Sequence, residues 1–453
     1  MALYVPERRK GRGSGHLRRA LELLRSNGGT DLIYLPEEGD RERYTRLQAL
    51  VHAGANAEEL EEGRFVGTAE EARAIIAAGT VDRVVFDLQE LEPELLKLFR
   101  DAPLLLGIDT GGSGEAFIDF TFESLPRLAG ATPANRRSPG YLSLPSRRRG
   151  NWPQEIRRLL VTVGGEDPEL QAAELADGLR GLFPELEIYH TEGGAIRGPA
   201  AEFVDRYEPI REQLHNFDLV VLHYGMTLFE ALHARVPVLA LPVTGYHADL
   251  AGALDLDLTR STELDEVAPE VGRIVADPTG AIERSRRVAP VERRYLYGEL
   301  KELTHPGHRN PLRPGAGARD RVEARLPDRS YYRDRESGLL YMRRFLEPTI
   351  QYDEAYFFAE YRRQYGRTYL EDFDKIKAMG RRRLKTIRRL MEGRPSGDRR
   401  LRLLDLGCAY GPFLSAAREA GYDPYGVDVS SAAVTYVREE LGFTAERATL
   451  EEL

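Results

Sequence analysis

Cysteine is nearly absent: the 453 residues hold one, Cys408, so no internal disulfide can form and no Cys-rich zinc site can be built. Tryptophan is equally scarce, with a single copy. No apolar run approaches the roughly 20 residues that cross a bilayer, and the N-terminus lacks the apolar core of a secretory signal. A cytoplasmic location is the expectation. Positive charge is not in excess either: 64 Lys and Arg face 73 Asp and Glu, a net −9 that argues against a protein that coats nucleic acid. Internal repeats and low-complexity blocks are missing too. What remains is 42% apolar and 30% charged, the composition of a soluble globular protein, and the length calls for two or three domains.

From Leu3 to about Leu144 short β-type runs alternate with helical ones. LYV (3–5), DLIYL (31–35), RVVFDL (83–88) and LLLGI (104–108) read as buried parallel strands, with HLRRALELLRS (16–26) and TAEEARAIIAAG (68–79) as helices between them. A Pro/Ser/Arg-rich stretch, 132–153, reads as a linker. The alternation resumes over 157–243 and fades near 290. Two α/β halves, 1–145 and 150–292, suggest a cleft with a ligand at the strand C-termini. Residues 293–328 are rich in Pro, Gly and Arg and read as the main linker. SYYRDRESGLLYMRRF (330–345) reads as a hairpin turning at Gly338, grouped with the helical stretch up to residue 400, and a third α/β unit opens at 401.

That third unit runs strand, glycine loop, helix, strand, acid. LRLLDL leads into Asp405-Leu-Gly407-Cys-Ala409-Tyr-Gly411, then the helix PFLSAAREAG, then YGVD ending on Asp428. Gly407 and Gly411 permit a tight turn and close backbone approach to a ligand, and the helix start offers free N–H groups. An acid about 20 residues on, at the tip of the second strand, suits a pair of ribose hydroxyls. LLDLGCAYGPFL followed by YGVDVSSAAVTYVREELGF resembles the first two motifs of class I S-adenosylmethionine-dependent methyltransferases. That resemblance implies S-adenosylmethionine as cofactor, with Asp405, Gly407, Ala409 and Gly411 along its methionine and ribose side and Asp428 on the adenosine ribose. Ala409 stands where many members have glycine. The pattern stops at Leu453, so the expectation is an incomplete Rossmann-like methyltransferase domain whose methyl transfer is doubtful. A nicotinamide dinucleotide site is the rival, disfavoured because Leu414 holds the place of the third glycine.

At the other end, Gly11-Arg-Gly13-Ser-Gly15-His16-Leu-Arg-Arg lies between the first strand and a helix. Alternate glycines make a flexible turn, the helix start favours an anion, and His16 could act as acid or base. GSGHLRRALELL resembles the Gly-x-Gly-His-x-x-Arg loop of the UDP-sugar hydrolases of pseudaminic acid biosynthesis. It is also similar to the loop of the peptidoglycan N-acetylglucosaminyltransferase. Both families have the two-domain glycosyltransferase B architecture. VTVGGEDPEL, with Gly164 and Gly165, and LVVLHYGMTLFEALHARVPVLALPV resemble their second domain. The resemblance implies that Gly225, Met226 and Thr227 hold the diphosphate of a nucleotide sugar, that Glu230 takes the UDP ribose, that Gly13, Gly15, Gly164 and Gly165 also belong to the nucleotide-sugar site, and that His16 is catalytic. Departures are His223 before the glycine, GYHADLA (245–251) with Tyr246 and His247 in place of a Gln-based motif, and IDTGGSGEAF where an acidic pair is usual.

His190, His215 and His233 lack a second ligand at fixed spacing and read as structural, and the basic run Lys375–Arg402 reads as a solvated helix face. Aromatics over 352–370 read as packing against the third unit. The expected fold is α/β: two Rossmann-like domains of glycosyltransferase B type, then the incomplete methyltransferase domain. The expected function is a bifunctional sugar-modifying protein in surface glycan biosynthesis: an S-adenosylmethionine-dependent methyltransferase joined to a nucleotide-sugar glycosyltransferase- or hydrolase-like module, with a UDP-linked nucleotide sugar and a glycan or sugar acceptor as partners. The alternative is a nucleotide-sugar-binding module without turnover, attached to a methyltransferase.

Overall fold

The computed structural model describes residues 1–7, 15–28, 30–42, 44, 65–127, 133–163, 171–192, 195–199, 209–242, 245–290, 292–304, 320–346, 355–391, 400–449 and 452. The chain divides into two compact units, Met1–Leu346 and Glu347–Leu453. Both are α/β, built on parallel Rossmann-like sheets.

The first sheet of the first unit comprises β1 (Ala2–Pro6), β2 (Leu32–Tyr34), β3 (Phe65–Val66), β4 (Arg83–Asp87), β5 (Leu104–Ile108), β6 (Phe120–Glu123) and β7 (Arg136–Arg137). Their spatial order is β3-β2-β1-β4-β5-β6-β7, all parallel. Every residue of β1 and β5 is buried, which is why these strands read as unbroken apolar runs: helices cover both faces. The Gly15–Ser26 helix follows β1 and turns Leu17, Ala20, Leu21 and Leu24 inward at helical spacing.

The second sheet repeats the plan with β8 (Arg158–Thr162), β9 (Glu187–Glu192), β10 (Ala195–Arg197), β11 (Leu219–His223), β12 (Val238–Leu241) and β13 (Asp257–Leu258). The order is β10-β9-β8-β11-β12-β13, with only β10 antiparallel to its neighbour among the described residues. In both sheets the chain reverses its winding beside the first strand, between β1 and β4 and between β8 and β11. At such a switch point the loops diverge and leave a crevice at the strand C-termini.

The division at residue 346 differs from the boundary expected over 293–328. Within that expected linker lie a helix, Leu296–Glu302, and a strand, β14 (Arg321–Leu326), which pairs with the hairpin β15 (Arg329–Arg333) and β16 (Leu340–Arg344) as an antiparallel meander. The hairpin turns at Gly338, whose φ of +72° favours glycine. Polar anchors, which leave no hydrophobic period to read, fix the meander to the first sheet. Asn135 Nδ2 donates to Leu326 O, Arg329 O and Ser330 Oγ (2.8–3.1 Å). Asp119 Oδ1 accepts from Arg343 Nη1 (2.8 Å) and the Tyr332 hydroxyl (3.0 Å), while its Oδ2 caps Leu105 N (2.9 Å). Buried Arg325 donates to the carbonyls of Glu115 and Ile118. Val322, Tyr332 and Phe345 join the core under the first sheet.

The second unit places β17 (Arg402–Leu406), β18 (Asp423–Asp428) and β19 (Thr444–Arg447) side by side and parallel in that order, the 3-2-1 half of the same plan. The Phe373–Met391 helix carries the basic run. Lys377 and Arg381 pair with Glu419, and Leu384, on the same face one turn further along, is buried against Ala416 and Ala417. The aromatic stretch packs as expected on the glycine loop: the Tyr410 ring lies 5.2 Å from Phe357 and 5.1 Å from Tyr436, centroid to centroid. Among the described residues no helix is long and apolar enough to cross a membrane.

Asp119→Ala would strand the buried Arg343 guanidinium and is expected to destabilise the first unit by about 3–5 kcal/mol. Asn135→Ala is expected to cost about 1–3 kcal/mol. Urea unfolding of the full chain measures both; losses below about 1 kcal/mol would show the meander to be a loosely attached appendage.

Candidate active site

The two switch points of the first unit supply the candidate residues. His16 sits on the first turn of the helix after β1, only 5% exposed. Its Nδ1 lies 2.6 Å from Asp87 Oδ1, and Asp87 closes β4, the neighbour of β1 across the switch point. An ionised carboxylate only accepts, so Nδ1 carries the hydrogen of this bond; in the neutral form of the ring Nε2 is then the acceptor. Arg19, one turn further along the helix, donates to the same carboxylate through Nε (2.8 Å) and Nη2 (3.0 Å). Its Nη1 donates to Asp109 Oδ2 and meets Ser124 Oγ, both at 2.7 Å. Asp109 follows β5 with a φ of +49°, a left-handed conformation that Asp tolerates better than most residues. Ser124 N (2.6 Å) and Leu125 N (3.0 Å) donate to its other oxygen. Burial alone would raise the Asp109 pKa, but the Arg19 charge and these bonds hold it below the ordinary range.

The facing wall comes from the second sheet. After β11 the chain turns at Gly225 and enters the Met226–His233 helix, where Gly225 at the N-cap has no side chain to cap the first N–H groups. This helix start touches the other: a Cβ on Gly15 would fall 1.7 Å from Met226 Cε. Glycine at 15 therefore permits the close approach of two helix N-termini, and their partial positive ends favour an anion. Met226 and Thr227 are half-buried there.

Glu230, one turn into that helix, is 8% exposed. Burial pushes its carboxyl up to about 7, against the opposing charges of Arg211 and Arg18. Arg211 bridges to Glu22 on the Gly15–Ser26 helix, and Ser143 also donates to Glu22, so the two halves of the unit are joined beside Glu230. The Tyr224 hydroxyl makes another link, donating to Pro126 O (2.8 Å).

His223 and His247, which the sequence marks as departures, come together with ring centroids 6.2 Å apart. Burial and the neighbouring His247 push His223 down to about 4, so it is neutral at pH 7. Gly13, Gly164, Gly165 and the Tyr246 side chain lie outside the described residues. His190 meets Arg180 and His233 meets the Pro290 carbonyl. Asp87, Arg19, Asp109 and Ser124 were missed as site residues. A signal is present: of the adjacent strands β4 and β5, one closes on Asp87 and the other is followed directly by Asp109, and Arg19 belongs to the Gly-x-Gly-His-x-x-Arg motif.

In the second unit Gly407, Ala409 and Gly411 have φ of +79°, +46° and +79°. Ala409 thus holds a left-handed conformation without being glycine, at a cost of about 1–2 kcal/mol. Asp428 explains why it stays there. Its Oδ2 accepts from Ala409 N (2.7 Å) and its Oδ1 from Ser430 N (2.9 Å). Asp405, at the other side of the loop, is pushed up to about 6 by burial and then by the like charge of Asp428, with Arg383 opposing. Nothing lies within 4 Å of a Cβ built on Gly407. Among the described residues no group of three or more His, Cys, Asp or Glu is placed to hold a metal.

No family model matches the chain, and no curated protein matches it. Solved structures do. MurG of Acinetobacter baumannii is similar at 11% identity with a TM-score of 0.45, over 66% of this chain and 97% of that one. UDP-GlcNAc 2-epimerase from Neisseria meningitidis, bound to UDP-GlcNAc, is similar at 11% identity and 0.39, over 66% and 98%. CalG4, the calicheamicin glycosyltransferase, is similar at 14% and 0.39, over 63% and 92%. At that distance the chemistry has to be read from this chain's own side chains.

The raised carboxyl of Glu230 makes stability depend on pH. Its contribution is full below about 4.5 and lost as pH rises through about 7. Glu230→Gln removes that dependence, so relative to the parent it gains about 3 kcal/mol between pH 4 and pH 8. Denaturant melts at the two pH values measure this; equal gaps would mean that the carboxyl is not desolvated.

Proposed function

We propose that the first unit acts on a nucleoside diphosphate sugar, UDP-linked in the first instance, with His16 as general base. The contact between the two helix starts carries this reading. His16, hydrogen-bonded to Asp87, starts one of these helices, and the N–H groups at Gly225, Met226 and Thr227 start the other, an arrangement that suits a diphosphate. His16 Nε2 takes the proton from water or from an acceptor hydroxyl. The oxygen so freed attacks the anomeric carbon, and the bond from that carbon to the diphosphate oxygen breaks. The departing diphosphate stays against the helix start. Glu230 faces the ribose. With a pKa of about 7 it is half protonated at neutral pH, able to donate to one vicinal hydroxyl and accept from the other.

For the second unit we propose S-adenosylmethionine as ligand. The residues suit it: open space over Gly407, a left-handed loop, and Asp428 with lone pairs beyond the two bonds it accepts. Asp405, Gly407, Ala409 and Gly411 would hold the methionine and ribose side, and Asp428 the adenosine ribose. The group would supply an electrophilic methyl. Together the two units suit the building or decoration of a surface glycan, the acceptor being a sugar or glycan. A nucleotide-sugar-binding module without turnover uses the same pocket, and His16→Ala separates the two: lost turnover with binding kept marks the enzyme.

Calorimetry on the full chain tests both halves. UDP is expected to bind, and Glu230→Ala to weaken it about tenfold or more, the worth of one or two hydrogen bonds. Failure of every nucleoside diphosphate to bind would sink the first half. S-adenosylmethionine is expected to bind and Asp428→Ala to abolish this; no binding by the parent chain would sink the second.

A further inference from the structure

The His16–Asp87 pair is not a simple dyad. Both oxygens of Asp87 are taken by Arg19 while Oδ1 also faces His16. Arg19 is itself held from behind, by Asp109 and Ser124, and each of these side chains is at least nine-tenths buried. Asp109 cannot swing away, since two backbone N–H groups grip its other oxygen. The charged groups around His16 include Asp87 from β4 and Arg19 from its own helix, with Asp109, which follows β5, behind Arg19, and buried Glu7 at the end of β1, whose N–H donates to the Asp87 carbonyl. The second sheet presents the apolar Met226 at that helix start.

A lone carboxylate beside an imidazole in a dry site stabilises the imidazolium. The ring would then hold its proton and could accept none. A guanidinium forked onto that carboxylate cancels much of the field and leaves the Nδ1–H···O bond intact.

We infer that Arg19 is a positioning residue that keeps His16 a neutral proton acceptor, by sharing Asp87 and cancelling its charge, with Asp109 and Ser124 as its anchor. The role deepens the reading of His16 as the base and rests on it. The competing view is that Arg19 merely ties strand ends together.

Titration of the His16 ring by NMR in the full chain separates the two, with His16→Gln for assignment. Arg19→Lys keeps the charge and loses the fork; Arg19→Met loses both. In Arg19→Met the ring is expected to hold its second proton to higher pH than in the parent, by at least about tenfold in proton affinity. Arg19→Lys is expected to stay within about twofold of the parent. A purely structural role predicts that the two variants move alike, and that result would overturn the inference. Should Arg19→Met fail to fold, Asp109→Asn removes one negative charge from the cluster, and the ring is expected to release its proton at lower pH. No shift in Asp109→Asn overturns it too. The titration needs neither ligand nor turnover, so failure of UDP binding strikes the nucleotide-sugar reading alone.

Discussion

The guanidinium of Arg19 gathers the C-terminal ends of β4 and β5 and the residue after β6 onto one helix. Three strands that carry acids or hydroxyls at their tips would otherwise crowd negative charge into a dry crevice. Because the fork reaches all of them at once, the tips can converge, and the helix that bears Arg19 is fixed in rotation as well as position. That rotation sets the rest. One side of the helix delivers His16 to Asp87, and another presents Glu22 to Arg211 and Ser143. The Gly15 corner is left small enough for Met226 to arrive.

Much of this frame is legible in the sequence because strands covered on both faces must be apolar throughout. β1, β4, β5, β8, β11 and β12 all announce themselves that way. The two-residue strands β3, β7 and β13 do not, since nothing so short has a period. The meander escapes for a different reason. Its buried contacts run through Arg325, Arg343 and Ser330, residue types whose ordinary place is the surface. Sequence spacing alone groups β15 and β16 with the helices of the second unit, their nearer neighbours along the chain.

The site divides in the same way. His16 is legible because a glycine-rich turn must precede it, and Asp428 because an acid at a strand tip has a fixed distance from its loop. Asp87 and Asp109 look like ordinary strand terminators until the sheet order places them on either side of one guanidinium. Glu230 stands in a helix buried nearly all round, and the charges that act on it, Arg18 and Glu22 on one helix and Arg211 and Glu212 on another, are distant in sequence, so its shift cannot be read from its own turn. His223 and His247 meet only because parallel pairing of β11 with β12 brings their following segments together.

The meander also decides when the first sheet can be completed. Asn135 and Asp119 find their partners 195 and 224 residues further along the chain. On a ribosome adding about 5–20 residues per second, those partners emerge roughly 10–45 seconds later. Meanwhile the whole second sheet is made and free to close on itself, its strands all lying between. The half of the unit that is synthesised first is therefore the half that is finished last. Until then the apolar surface that Tyr332 and Phe345 cover stays open to water.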